Sequence, residues 1–162
     1  MRLPAVILGA VLAAGAVSAA PAKLTGNKAV LQKIYDAYNT NEAGALEGFI
    51  AADAVTHDLP VNIRPGVAGL QDLSVLLSRA FPDFKIHVQD MIAEGDRVAA
   101  RILFTGTHQG EFLGIPATGK SVAYTGIQYV TFRDGKAKEL WSFMDHERLK
   151  AQLVGPAGVS KK

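Results

Sequence analysis

Phe81-Pro82-Asp83-Phe84-Lys85-Ile86-His87-Val88-Gln89 is where the chain changes its period. Before Pro82 the apolar residues recur at helical spacing. From Phe84 onward, Phe84, Ile86 and Val88 alternate with Lys85, His87 and Gln89, the two-residue repeat of a strand with one buried face. Pro82 marks the junction, because the residue before a proline is steered away from the helical region.

Upstream of the junction the chain reads as helices. Asn27 can cap a helix beginning at Lys28, with Val30, Leu31, Ile34, Tyr35 and Tyr38 on one stripe. Asn39 to Asn41 breaks that pattern. A shorter second helix follows, with Leu46, Phe49 and Ile50 on one side. Ala54 to Leu59 reads as a short extended piece carrying His57 and Asp58, and Asn62 to Gly66 as a turn region. Leu70, Leu73, Leu76, Leu77 and Ala80 mark a third helix.

Downstream, Glu94-Gly95-Asp96 is a tight turn signal, and Val98 to Thr107, Ser121 to Phe132 and Ala137 to Met144 read as strands. Asp134-Gly135 favours a type I′ hairpin. Gly126, in mid-strand, suggests a bulge or bend. Glu147 to Leu153 forms a closing helix. Helices followed by a meander of long strands make an α+β pattern. The expected architecture is a cone, in which a curved antiparallel sheet and three N-terminal helices enclose an apolar pocket.

The chain has 162 residues, which suits one domain. There is no cysteine, which excludes disulfides, thiolate metal sites and a cysteine nucleophile. The net charge is +2 with Lys and Arg scattered, so nucleic acid is not an expected partner. Four histidines without His-x-His or Glu-x-x-His spacing give no metal site.

Met1-Arg2, the uncharged run from Leu3 to Val17 and the small residues Val17-Ser18-Ala19 have the layout of a secretory signal cut after Ala19. An uncleaved anchor is the alternative, but the run is shorter than the ~20 residues a spanning helix needs. Residues 1–19 are therefore expected to be a signal peptide, 20–154 the folded domain and 155–162 a disordered tail. The expected location is the periplasm or the exterior, without a stable membrane anchor after cleavage.

The stretch from Phe81 to Leu153 resembles the SnoaL-like polyketide cyclases, also called ester cyclases, of the nuclear-transport-factor-2-like superfamily. Carrying the resemblance are Phe81-Pro82-Asp83-Phe84, Glu94-Gly95-Asp96-Arg97-Val98, the run from Phe104 to Gly119, Asp134-Gly135-Lys136 and Glu139-Leu140-Trp141 leading to Asp145. Gly106-Thr107-His108-Gln109-Gly110-Glu111-Phe112 is the most specific part. The resemblance implies the cone fold (a cystatin-like half-barrel) and an aspartate at position 145 acting as general acid/base in ring closure. It implies no metal or organic cofactor, and by analogy a homodimer paired through the outer sheet face.

Trp141, Phe143 and Asp145 alternate onto one face. A carboxylate beside large apolar groups loses hydration and becomes able to take and return a proton near neutral pH. Asp145 also precedes His146-Glu147-Arg148, where it can simply cap the last helix and stay ionised. The resemblance places His57 near the pocket as an assistant to the aspartate, and a turn histidine bonded to its neighbours is the other reading. His108 opens a connection, Gly106 to Lys120, long enough to act as a lid. Its Phe112, Leu113 and Ile115 either cover the pocket mouth or pack on the sheet rim. Trp141, His108, Phe112 and Phe143 are the candidate substrate contacts. Arg101 shares a face with Ala99 and Leu103, and the outer face is favoured for it. At most one of Tyr124 and Tyr129 lines the pocket.

Two functions are compatible with this pattern. One is a cofactor-free cyclase, lyase or isomerase acting on an apolar carbonyl compound. The other is an exported protein that binds a hydrophobic small molecule without turnover. An epoxide-hydrolase or ketosteroid-isomerase-like activity would need further pocket carboxylates, which are not evident. Export also departs from the biosynthetic cyclases, whose substrates are made inside the cell.

Overall fold

The computed structural model describes residues 24–59 and 61–155. The expected signal at 1–19 and all of the expected tail except Gly155 lie outside them. Helix α1 is Gly26–Asn39, followed by a 3-10 turn at Ala43–Gly48, strand β1 at Ile50–His57 and helix α2 at Gly66–Ala80. Strands β2 (Lys85–Glu94), β3 (Arg97–Thr107), β4 (Ser121–Arg133) and β5 (Lys136–Met144) follow, and helix α3 (His146–Val154) closes the order. Among the described residues no helix is long and apolar enough to cross a membrane.

The five strands form one sheet in the order β1-β5-β4-β3-β2. The meander from β2 to β5 is antiparallel, as its tight turns require. Asp134 and Gly135 both have positive φ, 53° and 75°, which is the type I′ geometry their sequence favours. The α+β cone stands, with three refinements. The short extended piece is an eight-residue strand that starts at Ile50 and joins β5 in parallel, so the sheet is mixed. The second helix is only the 3-10 turn, and Ile50 belongs to β1. Helix α1 begins at Gly26, ahead of Asn27.

Alternation sets the two faces. Val98, Ala100, Ile102 and Phe104 of β3 and Val122, Tyr124, Val130 and Phe132 of β4 are buried on the inner face. Helix α1 packs over β2, α2 over β1, and α3 over β4. Leu31, Ile34 and Tyr35 of α1 are almost wholly buried, as are Leu149 and Leu153 of α3. Gly126 is not at a bulge, since it pairs regularly with Ile102 and Met144. A Cβ there would meet the Met144 Sδ at 2.2 Å, so its smallness makes room for that side chain. The irregularities fall instead at Val88/Asp90, Thr131/Phe132 and Ile50/Val55.

The connection from β3 to β4 is docked on the C-terminal end of α2. The Gln109 and Gly110 amides both donate to the Ala80 carbonyl, at 2.8 and 3.1 Å. Phe112 and Ile115 exchange two 3.0 Å backbone bonds, and the Phe112 ring sits edge-on against Phe81 with centroids 5.4 Å apart. At the base, Asp83 accepts from the Thr107 amide and hydroxyl at 2.6 and 2.7 Å, which holds its carboxyl below the usual range. His108 is fully buried, and its Nδ1 accepts from the Thr118 amide at 3.3 Å. That bond leaves the proton on Nε2, which has no partner among the described residues.

A Cβ on Gly110 would lie 2.4 Å from the Arg79 carbonyl oxygen, a backbone atom that must move to admit it. Gly110→Ala is therefore expected to lower the unfolding free energy by ~1–3 kcal/mol, the usual range for overpacking. Urea unfolding of the two proteins measures it, and unchanged midpoints would refute the close docking. Burial also pushes the His108 imidazole below its ordinary pKa. The unfolded chain then binds a proton at this site that the folded chain refuses. Its contribution to stability is complete above about pH 6.5 and shrinks as the pH falls through the depressed folded value. Between pH 7 and 5.5 His108→Gln is expected to lose stability less steeply than the parent; equal slopes would show that His108 titrates freely.

Candidate functional site

The inner sheet face and the helices leave a cavity of about 80 Å³. That is room for several waters or a small organic molecule. Helix α1 contributes Ile34, Tyr35 and Tyr38, and α2 contributes Leu70, Leu73 and Leu77. The sheet adds Ile50, Thr56, Ile86, Phe104, Tyr124, Gln128, Leu140, Ser142 and Met144. Leu59 and His146 also border the cavity, and Phe112 brings one residue of the β3–β4 connection to it.

Among the described residues no Asp, Glu, Lys or Arg lines this space. Its polar groups are few and unevenly satisfied. Tyr38 donates to the Leu70 carbonyl at 3.2 Å, and Gln128 Nε2 donates to Ser142 Oγ at 3.1 Å. The Tyr35 hydroxyl and both ring nitrogens of His146 are buried without a partner among the described residues. Burial raises the pKa of Tyr35 and Tyr124, so both phenols stay protonated. Burial lowers that of His146, against the opposing pull of Asp145 and Glu147, so its ring is neutral at pH 7.

The expected site residues separate cleanly. Phe112 lines the cavity and is buried. Asp145 does not reach it. It is exposed, and its Oδ1 accepts from the Arg148 amide at 3.0 Å as the N-cap of α3. The expectation of a carboxyl in an apolar hollow is thereby corrected: Asp145 shares its parity with Trp141 and Phe143, and that parity is the outer one. Leu140 and Ser142 are buried inward, whereas Phe143 is 56% exposed. Trp141 and Phe143 are therefore outer-face residues and not cavity contacts.

His57 is corrected for the same reason. In β1, Thr56 faces the cavity and His57 turns outward, stacked on Trp141 with centroids 4.5 Å apart and Nε2 3.4 Å from Glu139. His108 serves the connection at its base and is absent from the lining, which corrects its expected role as a substrate contact. Arg101 is exposed and donates to Gln89 at 2.5 Å, on the outer face as favoured. Of the two strand tyrosines only Tyr124 borders the cavity. Among the described residues no three His, Asp or Glu side chains are placed to share a metal ion.

Sequence reasoning passed over His146. The clue was there in the alternation, since Leu140, Ser142, Met144 and His146 continue one two-residue repeat. Tyr35 lies on the expected stripe of the first helix, and its unpartnered hydroxyl becomes visible only once the packing is known.

Comparison with solved structures agrees with this geometry. IdmH from Streptomyces antibioticus, a proposed polyketide cyclase, is 32% identical with a TM-score of 0.68, over 80% of this chain and 99% of that one. AclR from Streptomyces galilaeus, a proposed hydroxylase, is 31% identical with a TM-score of 0.71, over 83% and 85% of the two chains. A proposed SnoaL-like polyketide cyclase from Jannaschia sp. CCS1 shares the fold at 20% identity, with a TM-score of 0.72 over 80% and 92%. No curated protein matches the sequence. The family model for SnoaL-like polyketide cyclases matches residues 28–153, every element from α1 to the last turn of α3, and the chain belongs to that family.

Proposed function

We propose that this chain is an exported, cofactor-free enzyme of the cyclase or isomerase kind, acting on an uncharged, apolar small molecule that carries a carbonyl group. The carrying observation is the cavity lining, apolar with a few hydroxyl, amide and imidazole groups and, among the described residues, no Asp, Glu, Lys or Arg. Such a lining leaves a charged ligand unpaired in a low-dielectric space, whereas a neutral carbonyl compound needs only hydrogen bonds. The family includes ring-closing enzymes, and the related solved structures carry two different proposed activities, so membership narrows the reaction without naming it. Export rests on the residue pattern of 1–19.

The position of Asp145 supports a second reading. With that carboxylate capping α3 outside the cavity, the expected aspartate mechanism has no agent, and a container for a hydrophobic molecule satisfies the same lining. The protein purified from its own host and measured by native mass spectrometry tests both. The expected result is a chain starting at Ala20 with a neutral organic molecule bound. A full-length chain would end the export proposal, and a bound anion would end the neutral-ligand proposal. The released molecule, returned to fresh protein, distinguishes the readings: an enzyme converts it or its precursor, and a container gives it back unaltered.

The outer sheet face favours pairing of two copies. His57, Trp141, Tyr129, Ala99 and Ile92 are register neighbours in one row crossing all five strands without an Asp, Glu, Lys or Arg. Ile92, Ile127 and Phe143 on that face are 68%, 51% and 56% exposed. Large apolar side chains left exposed on one sheet face suit it to an interaction. Light scattering is expected to find twice the chain mass, and Phe143→Lys to shift it toward one. A monomeric parent protein would overturn the pairing.

A further inference from the structure

We infer that His146 is the proton-transfer residue of the cavity, with the Tyr35 hydroxyl as hydrogen-bond donor to the carbonyl oxygen of the substrate. This deepens the proposed function and rests on it. Three polar atoms in the cavity wall are buried without a partner among the described residues, the Tyr35 hydroxyl oxygen and the two ring nitrogens of His146. Leaving a buried polar atom unpaired costs about 1–3 kcal/mol, and a bound molecule that pairs with them recovers this. A neutral imidazole offers one donor and one acceptor, and neither nitrogen is committed to the protein. Either nitrogen is therefore free to act as the base.

The step balances without a co-reactant. The lone pair of one ring nitrogen takes a proton from the carbon next to the carbonyl. The C–H electron pair becomes the carbon–carbon double bond of an enolate, and the carbonyl π pair moves onto oxygen, where Tyr35 donates a hydrogen bond. The imidazolium returns a proton to carbon, or the enolate carbon attacks a second carbonyl of the same molecule and the imidazolium protonates the new alkoxide. Ring closure and isomerisation share this first transfer. The groups facing His146 suit it for the task. Tyr35 and Tyr124 of the same lining are held protonated by burial, and the Asp145 and Glu147 charges pull against the desolvation that lowers the imidazole pKa.

The neutral bicyclic ketone 2-tetralone is a probe of this chemistry. Its exchange of α-hydrogen for deuterium in heavy water is followed by proton NMR, and its binding by calorimetry. The parent protein is expected to bind it and to speed exchange by about a hundredfold over buffer, within the range of positioned acid–base groups. The rate should level off above about pH 6.5 and fall below the depressed imidazole pKa. His146→Gln removes the base and breaks no hydrogen bond among the described residues; it is expected still to bind the ketone and to exchange it at the buffer rate. Tyr35→Phe is expected to keep the pH profile and lose about tenfold in rate. Binding without exchange in the parent, or undiminished exchange in His146→Gln, overturns the role of His146 and leaves the carbonyl-binding cavity standing. Failure of the ketone to bind at all overturns both.

Discussion

One extra residue in β5 decides which chemistry the cavity holds. The Asp134-Gly135 hairpin pairs Arg133 with Lys136 and Phe132 with Ala137. Continued without interruption, that register would set Gln128 opposite Trp141, and the indole would point inward. The register shifts at Thr131/Phe132, so Thr131 meets Glu139 and Gln128 meets Ser142. Because the side-chain repeat of a strand is two, a shift of one exchanges the faces for all that follows. Trp141, Phe143 and Asp145 go outside, and Ser142, Met144 and His146 go inside. The aspartate then meets the amides that open α3, a stable place for an ionised carboxylate.

The residues that carry the family resemblance are chiefly those that hold the β3–β4 connection in place. Asp83 clamps Thr107, His108 accepts from Thr118, Gly110 lies against the last carbonyls of α2, and Phe112 fills the cavity wall against Phe81. Each is a local solution to a packing or hydrogen-bonding demand, and together they fix one wall of the pocket. A motif built of such residues reports the scaffold faithfully and leaves the reaction open. His108 illustrates this. A histidine in a motif invites a catalytic reading, yet here its ring nitrogen serves a backbone amide.

Most of the fold was legible because its signals are local. The change of period at Pro82, the type I′ turn at Asp134-Gly135 and the stripe of α2 all appear in short windows of sequence. What escaped depends on distant partners. Nothing within Ile50–His57 reveals that it will lie parallel to β5, since that pairing joins residues more than eighty positions apart, such as Thr56 and Leu140. The faces of β5 escaped for a related reason, as a bulge is chosen by the packing of both strands. Phe112 was a candidate from its place in the long connection, where covering the pocket mouth and packing on the sheet rim both stayed open. His146 was masked by the helix-opening run His146-Glu147-Arg148, which reads as solvent-facing.

The cavity constrains its occupant more sharply than family membership does. Water inside it would find the Tyr35 hydroxyl and the His146 ring, but most of the remaining wall is aliphatic or aromatic carbon. An ion would lose its hydration against that wall with no opposite charge among the lining residues. A wholly hydrocarbon ligand would leave the phenol and imidazole unpaired. The proposed ligand meets both demands, being apolar over most of its surface with an oxygen able to hydrogen-bond. A carbonyl flanked by an acidic C–H is the simplest such group, and a neutral imidazole is a suitable base for it near pH 7. The proposed proton transfer thus rests on the unpaired atoms of the cavity and not on the carboxylate that the family resemblance nominates.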